Sequence, residues 1–178
     1  MKNILVITSS HRKNGNSNML AEQFIKGAVE ANNVERVDLS EKQINFCRGC
    51  LACQTLKKCV INDDAALIAE KMGRADILVF VTPIYYYSVS GQLKTMLDRA
   101  NPLYGSDYSF RSVYLIATAA DEDSRAVDGA VKAVQGWVDC FENAKLECVL
   151  FAGGVEAQGD VKDNIAMCKA YELGKQII

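Results

Sequence analysis

No apolar stretch in this sequence approaches the roughly 20 residues that a membrane-spanning helix needs. The chain runs from Met1-Lys2-Asn3 straight into the short apolar segment Ile4–Ile7, without the longer core and small-residue cleavage site of a signal peptide. A formal net charge of −2 supplies no broad electrostatic footprint for nucleic acid or an anionic membrane. There is one histidine, His11, which leaves little material for general acid–base chemistry. With two prolines and no Pro/Gly/Ser-rich tract or repeat, nothing divides the chain. Its 178 residues therefore read as one domain, 1–178, long enough to bury a full sheet with helices on both faces. These absences together predict a cytoplasmic protein that binds neither nucleic acid nor membrane and keeps its thiols reduced.

Cysteine is what the chain does have. Of seven, an odd number that argues against a disulfide scaffold, four are Cys47, Cys50, Cys53 and Cys59, with two, two and five residues between them. That spacing is too compact for a disulfide framework and suits the grip of one inorganic centre. Four thiolates are the ligand set of a 4Fe–4S cluster. Zinc, or reduced thiols that merely shape a loop, are the other readings. Cys140, Cys148 and Cys168 fall in expected helix or strand interiors and read as small buried hydrophobes.

Around this segment, β-branched apolar runs alternate with helical patterns. Strands are expected at Asn3–Thr8, Val34–Leu39, Ile77–Thr82, Val113–Thr118 and Leu146–Ala152. Several are continuous apolar runs, as strands covered on both faces require. Helices are expected near Ser17–Ala31, Asp64–Arg74, Ser90–Ala100, Asp128–Glu142 and Lys162–Gln176. Asn16 or Ser17, Asp63 or Asp64, and Ser90 serve as N-caps for the first three, and Gly73 as a left-handed residue near the end of the second. The pattern predicts an α/β fold, a flavodoxin-like doubly wound five-stranded parallel sheet of order 2-1-3-4-5 with helices on both faces. The cysteine segment, about 44–62, is its one long irregular insertion, and such insertions are usually functional.

Three loops follow strand ends at one edge of that sheet, where such folds bind ligands. The first, Ser9 to Ser17, contains one glycine and is neither GxGxxG nor a Walker loop, so it suits a terminal monophosphate. Ser10, Ser17 and Asn16 can donate to the phosphate and Arg12 can pair with it, while His11 braces the loop. The second, Thr82 to Gly91, carries Pro83, Ile84 and the run Tyr85-Tyr86-Tyr87; neighbouring side chains diverge, so at least one tyrosine should reach the rim. The third begins Thr118-Ala119-Ala120 and offers backbone groups to the edge of a planar ligand. Phosphate, stacking and edge recognition together fit flavin mononucleotide, FMN.

These residues resemble the NADPH-dependent FMN reductase family, and specifically its iron–sulfur flavoprotein branch. The family's phosphate loop, Gly-Ser-Pro-Arg-x-x-Gly-Asn-Ser/Thr, lines up with Ser9 to Ser17, with Ser9 in place of the glycine and His11 in place of the proline. Thr82 to Ser88 followed by Gly91-Gln92-Leu93-Lys94 and Asp98-Arg99 is similar to the second signature, and the four cysteines followed by Asp63-Asp64 to the third. The resemblance implies that Ser10, His11, Arg12, Asn16, Ser17 and Asn18 surround the FMN phosphate and that Pro83, Ile84, Tyr85, Tyr86, Thr118 and Ala119 flank the ring. It also implies a 4Fe–4S cluster on the four cysteines, and a homodimer or homotetramer with the flavin near the subunit interface. The activity implied is electron transfer from NAD(P)H or reduced ferredoxin to a small acceptor such as a quinone, dioxygen or peroxide, with no side chain acting as a catalyst. An electron carrier without turnover of its own and a zinc-stabilised binding domain are the alternatives.

Overall fold

A computed structural model describes all residues, 1–178. Five strands form the parallel sheet: β1 (Asn3–Thr8), β2 (Asn33–Asp38), β3 (Ile77–Tyr85), β5 (Ser112–Thr118) and β6 (Lys145–Ala152), in the order β2-β1-β3-β5-β6. This is the expected 2-1-3-4-5 order. A sixth strand, β4 (Ser88–Val89), lies off that path and pairs antiparallel with the end of β3. It arises because the chain stays extended beyond Pro83 to Tyr85 and then reverses through Tyr86 and Tyr87, whose φ values of 48° and 62° are those of a tight hairpin turn. No glycine or asparagine marked that turn in the sequence.

Six α-helices, with four short 3₁₀ turns, connect the strands: α1 (Asn16–Ala28), α2 (Ala52–Leu56), α3 (Asp64–Arg74), α4 (Gly91–Arg99), α5 (Asp128–Val138) and α6 (Ala166–Lys175). Alternate strand residues feed opposite faces. Ile4, Val6, Val79 and Val81 pack under α1 and α6; Leu5, Ile7, Leu78 and Phe80 pack under α3, α4 and α5. The α1–α6 contact is made backbone to backbone. A Cβ on Gly27 would lie 2.1 Å from the Tyr171 carbonyl oxygen, and one on Gly174 2.1 Å from that of Phe24.

Two expected caps are present: the Asp63 carboxylate accepts from Ala65 N–H at the start of α3, and Ser90 Oγ accepts from Leu93 N–H at the start of α4. Two details differ from expectation. Gly73 is not a left-handed helix end; α3 continues to Arg74, and Gly73 makes room for Leu103, whose Cδ2 would lie 2.9 Å from an added Cβ. Asn16 and Ser17 do not cap α1. Gly15 holds the cap position, with no side chain bonded to the helix end. No helix is long and apolar enough to cross a membrane.

Candidate functional site

Register places the strand ends side by side. Thr8 pairs with Val81, Pro83 with Thr118, and Thr118 with Ala152. Strand order reverses at β1, so the loop entering α1 sits at the switch point of the sheet. A buried hydroxyl network knits this edge: Ser90 Oγ donates to Ser9 Oγ at 2.8 Å, Ser9 Oγ donates to the Val81 carbonyl at 3.2 Å, and Ser90 N–H donates to Thr82 Oγ1 at 3.0 Å. Ser9, one of the two departures from the family pattern, thus uses its hydroxyl to tie β1 to the start of α4. His11, the other, is linked to the same helix: Gln92 Nε2 donates to His11 Nε2 at 2.8 Å.

Within the first loop, Gly15 N–H and Asn18 Nδ2 both donate to the Arg12 carbonyl, at 2.9 and 3.0 Å. The loop folds tightly over Gly15. A Cβ there would lie 2.9 Å from Arg12 Cβ and carbonyl oxygen and 3.0 Å from Ser10 Oγ. Because α1 has no side-chain cap, the N–H groups of residues 16–18 have no partner within the chain and point out of a helix terminus that favours negative charge. Ser10 and Ser17 are buried beside them. Asn18 Oδ1 is buried with no hydrogen bond, an acceptor that calls for a hydroxyl or N–H donor rather than a phosphate oxygen.

Two residues expected at the phosphate are committed elsewhere in part. Arg12 Nη1 donates to the Glu156 carbonyl at 2.8 Å, leaving the rest of an exposed guanidinium free. The Asn16 amide is used at both ends: Nδ2 donates to the carbonyls of Val155 (3.2 Å) and Ala157 (2.8 Å), while Oδ1 accepts from Gly159 N–H (2.9 Å) and Val161 N–H (3.3 Å). Its side chain therefore has no donor left for a phosphate, because it holds the loop after β6 in place; only its backbone N–H faces the site. That loop was not singled out from sequence, although Gly153-Gly154 directly after a strand was the available signal. An added Cβ on Gly153 would lie 2.7 Å from the Asp121 carbonyl oxygen, so the loops after β5 and β6 touch there.

On the ring side, Thr118 and Ala119 are buried, Pro83 and Ile84 are partly buried, and Tyr85, Tyr86 and Tyr87 are all exposed, Tyr86 completely. Tyr87 Oη donates to Asp121 Oδ2 at 3.1 Å, and this hydrogen bond raises the phenol's pKa. Ser10, His11 and Asn18 line a polar cavity of about 400 Å³ with Arg36 and Asp38.

The four cysteines lie away from that edge. Cys47, Cys50, Cys53 and Cys59 all line one cavity of about 450 Å³, walled by Leu97, Pro102, Tyr104, Trp137 and Phe141 near the C-terminal ends of α4 and α5. Positive φ at Gly49, Leu51 and Lys57 folds the segment back on itself, and α2 occupies part of what the sequence suggested was irregular. No three of the thiols stand close enough to share one metal ion. Cys140 lines the same cavity and is exposed, Cys168 is exposed and Cys148 is half-buried, so the expectation of buried hydrophobes fails for them. Cys140 lies just beyond the end of α5 rather than inside it.

A buried ion pair closes the cysteine segment. Arg99 Nη1 and Nη2 each donate to an Asp63 carboxylate oxygen at 2.7 Å, and the two side chains are 0% and 4% exposed. Arg99 Nη1 also donates to the Asn45 carbonyl at 2.7 Å, and Asp63 accepts from Asn45 N–H (2.8 Å) and Nδ2 (3.1 Å). Residues 45 and 63 bracket all four cysteines, so this pair pins both ends of their loop to α4. Burial by itself would raise the Asp63 pKa, but hydrogen bonds from Arg99 and Asn45 outweigh it and hold the value at about 2, against 3.8. Depression of the folded pKa means that the carboxylate's contribution, on the order of 2 kcal/mol, is complete above the unfolded value and lost as pH falls through 3.8 toward 2. The stability gap between the wild type and Asp63→Asn, measured by urea unfolding, should therefore narrow by about 2 kcal/mol from about pH 5 to about pH 2; a gap independent of pH would contradict this.

A doubly wound sheet whose switch point presents unpartnered helix N–H groups is the arrangement at which α/β proteins of this kind bind nucleotides. Residues 2–143 match the family described as NADPH-dependent FMN reductase. An iron–sulfur flavoprotein of Archaeoglobus fulgidus is 34% identical over 175 residues, 90% of this chain and 84% of that protein. One from Methanocaldococcus jannaschii is 37% identical over 101 residues, 56% of this chain, a match that spans only about half (52%) of the relative's length. In three dimensions the chain is similar to an NAD(P)H:quinone oxidoreductase from Methanothermobacter marburgensis, with a TM-score of 0.75 at 19% identity over 98% of this chain and 94% of the other. The chain belongs to the NADPH-dependent FMN reductase family, in its iron–sulfur flavoprotein branch.

Proposed function

We propose that residues 1–178 form one flavodoxin-like unit that binds FMN across the C-terminal ends of β1, β3 and β5 and passes electrons from NAD(P)H, or from reduced ferredoxin, to a small acceptor such as a quinone, dioxygen or peroxide. The observation that carries this reading is the uncapped start of α1, whose N–H groups and neighbouring buried hydroxyls lie at the switch point of the sheet. The N–H groups of residues 16–18, the hydroxyls of Ser10 and Ser17 and the free part of Arg12 hold the phosphate. Asn16 and His11 act indirectly, by fixing the loop after β6 and the first turn of α4. Asn18 Oδ1 accepts from a ribityl hydroxyl. Pro83 to Tyr86 and Thr118-Ala119 flank the ring, and the open space beside Gly91, where an added Cβ would meet nothing within 4 Å, leaves room for it.

The flavin, when bound, accepts a hydride and can release electrons singly. The chain's part is to position it and screen it. The donor need only lie against the exposed ring face. Three exposed tyrosines on a hairpin beside that face are large apolar surfaces suited to cover by a second copy of the chain, in a homodimer or dimer of dimers. Four thiols around one apolar-walled cavity fit a 4Fe–4S cluster, which takes one thiolate per iron.

Purification without oxygen should give a yellow-brown protein with bound FMN and iron, which oxidises NADPH or NADH when a quinone is added. A flavin-loaded protein reducible by dithionite but inert to both nicotinamides would point instead to a carrier without turnover. A colourless preparation that takes up no FMN would end the proposal.

A further inference from the structure

Two of the four thiols accept hydrogen bonds. Cys47 Sγ accepts from Gly49 N–H at 3.4 Å, a local turn of the kind any cysteine loop can make. Cys53 Sγ accepts from Asn101 Nδ2 at 3.0 Å, across 48 residues of sequence. Asn101 stands immediately past the end of α4, opening a 3₁₀ turn that includes Pro102. Its backbone is fixed from both sides: Ala100 N–H donates to the Met96 and Leu97 carbonyls, and Tyr104 N–H donates to the Asn101 carbonyl at 3.1 Å. Two residues earlier on the same helix end, Arg99 is locked into the buried pair with Asp63 that closes the cysteine loop. The donor and the thiol are thus both held by α4, one directly and the other through the pinned loop. Asn101 is solvent-exposed, so water could satisfy its amide, yet it is directed at sulfur.

We propose that Asn101 is a positioning residue whose amide N–H tunes the redox centre ligated by Cys53. The inference rests on the reading that the four cysteines hold a cluster. An electron added to such a centre is shared with its sulfur ligands, so a donor aimed at sulfur stabilises the reduced form and raises the reduction potential. An amide is neutral and does this without adding charge, which distinguishes it from an arginine at the same distance. The other end of α4, Ser90-Gly91, lies at the proposed flavin edge, about 13 Å away for nine helical residues. A change at Asn101 therefore leaves the flavin alone.

The test compares wild-type protein, Asn101→Leu (no donor, similar volume) and Asn101→Gln (donor retained on a longer arm), all purified without oxygen. Iron and sulfide content is measured first, then the midpoint potential of the cluster by EPR-monitored titration and that of the flavin by absorbance. The expected result is unchanged iron and flavin potential in all three, a more negative cluster potential in Asn101→Leu, and a partial return in Asn101→Gln. Unchanged iron with an unmoved cluster potential in Asn101→Leu overturns the role of Asn101 alone. Wild-type protein that holds flavin but no iron removes the cluster reading and the proposal with it. Loss of iron only in Asn101→Leu, with Asn101→Gln at the wild-type potential, would show a structural role in place of tuning, and also overturns it.

Discussion

Replacement of Arg99 by methionine should cost about 3–5 kcal/mol of folding stability, because it leaves the Asp63 carboxylate buried without its partner. The guanidinium donates to both Asp63 oxygens and to the Asn45 carbonyl, so one substitution releases both ends of the segment that carries the four cysteines. Urea unfolding measures the loss. Limited trypsin digestion locates it, since Lys57 and Lys58 lie in that segment and should become the first sites cut. The pair should also behave as a unit. Arg99→Met combined with Asp63→Leu should be less damaging than Arg99→Met alone, because no unpaired charge then stays buried. Arg99→Lys should fall between, as an ammonium cannot reproduce the two-pronged contact. An Arg99→Met protein as stable and as protease-resistant as the wild type would mean that the cysteine loop is held by something other than this pair.

Substitution of Gly15 by valine should weaken FMN binding by about 100-fold while leaving the fold largely intact. Gly15 has φ of −68°, a conformation open to any residue, so its requirement is for space. With an added Cβ 2.9 Å from the Arg12 carbonyl oxygen, the turn must open, and opening it moves Ser10, Arg12 and the first N–H groups of α1 together. Loss of about two charge-assisted hydrogen bonds, each about 1.5 kcal/mol, amounts to roughly 3 kcal/mol, or about 100-fold in dissociation constant. Fluorescence titration of flavin-free protein with FMN checks it. Unaltered affinity in Gly15→Val would contradict the phosphate cradle; Gly136→Ala in α5, whose Cβ meets nothing in the chain and which lies outside the proposed site, is the control for folding.

The parts of this molecule that were legible in sequence are those encoded by near neighbours. Ile77 to Val81 is apolar without alternation because β3 is covered on both faces, and Asp63 and Ser90 cap helices through bonds that reach only two or three residues. The order of the sheet is the natural one for five such strand–helix units, although right-handed crossovers alone leave other orders open and only the fold fixes it. The phosphate loop and the four-cysteine segment were visible for the same reason: each is one continuous stretch. What was missed depends on residues far apart in sequence. Asn16 looks like a phosphate donor until the chain returns 139–145 residues later to occupy its amide. Asp98-Arg99 was visible as part of a motif, but only the fold shows Arg99 buried against a residue 36 positions earlier. Cys140 sat in an expected helix interior, yet α5 ends at Val138 and turns the thiol toward the cavity of the other four. The Tyr86-Tyr87 turn was hidden because two large residues adopt a backbone normally left to glycine or asparagine, a strain of about 1–2 kcal/mol each that tertiary contacts offset. One of those contacts is Gly129, where a Cβ would lie 2.1 Å from the Tyr87 carbonyl oxygen.

The claim on which the rest depends is that the start of α1 holds a terminal phosphate. It is tested most directly by titrating flavin-free protein with FMN and, separately, with riboflavin, which carries the same ring and ribityl chain but no phosphate. FMN should bind tighter by about 100-fold or more, and Ser17→Asp should abolish the difference. Equal affinity for the two flavins would contradict it.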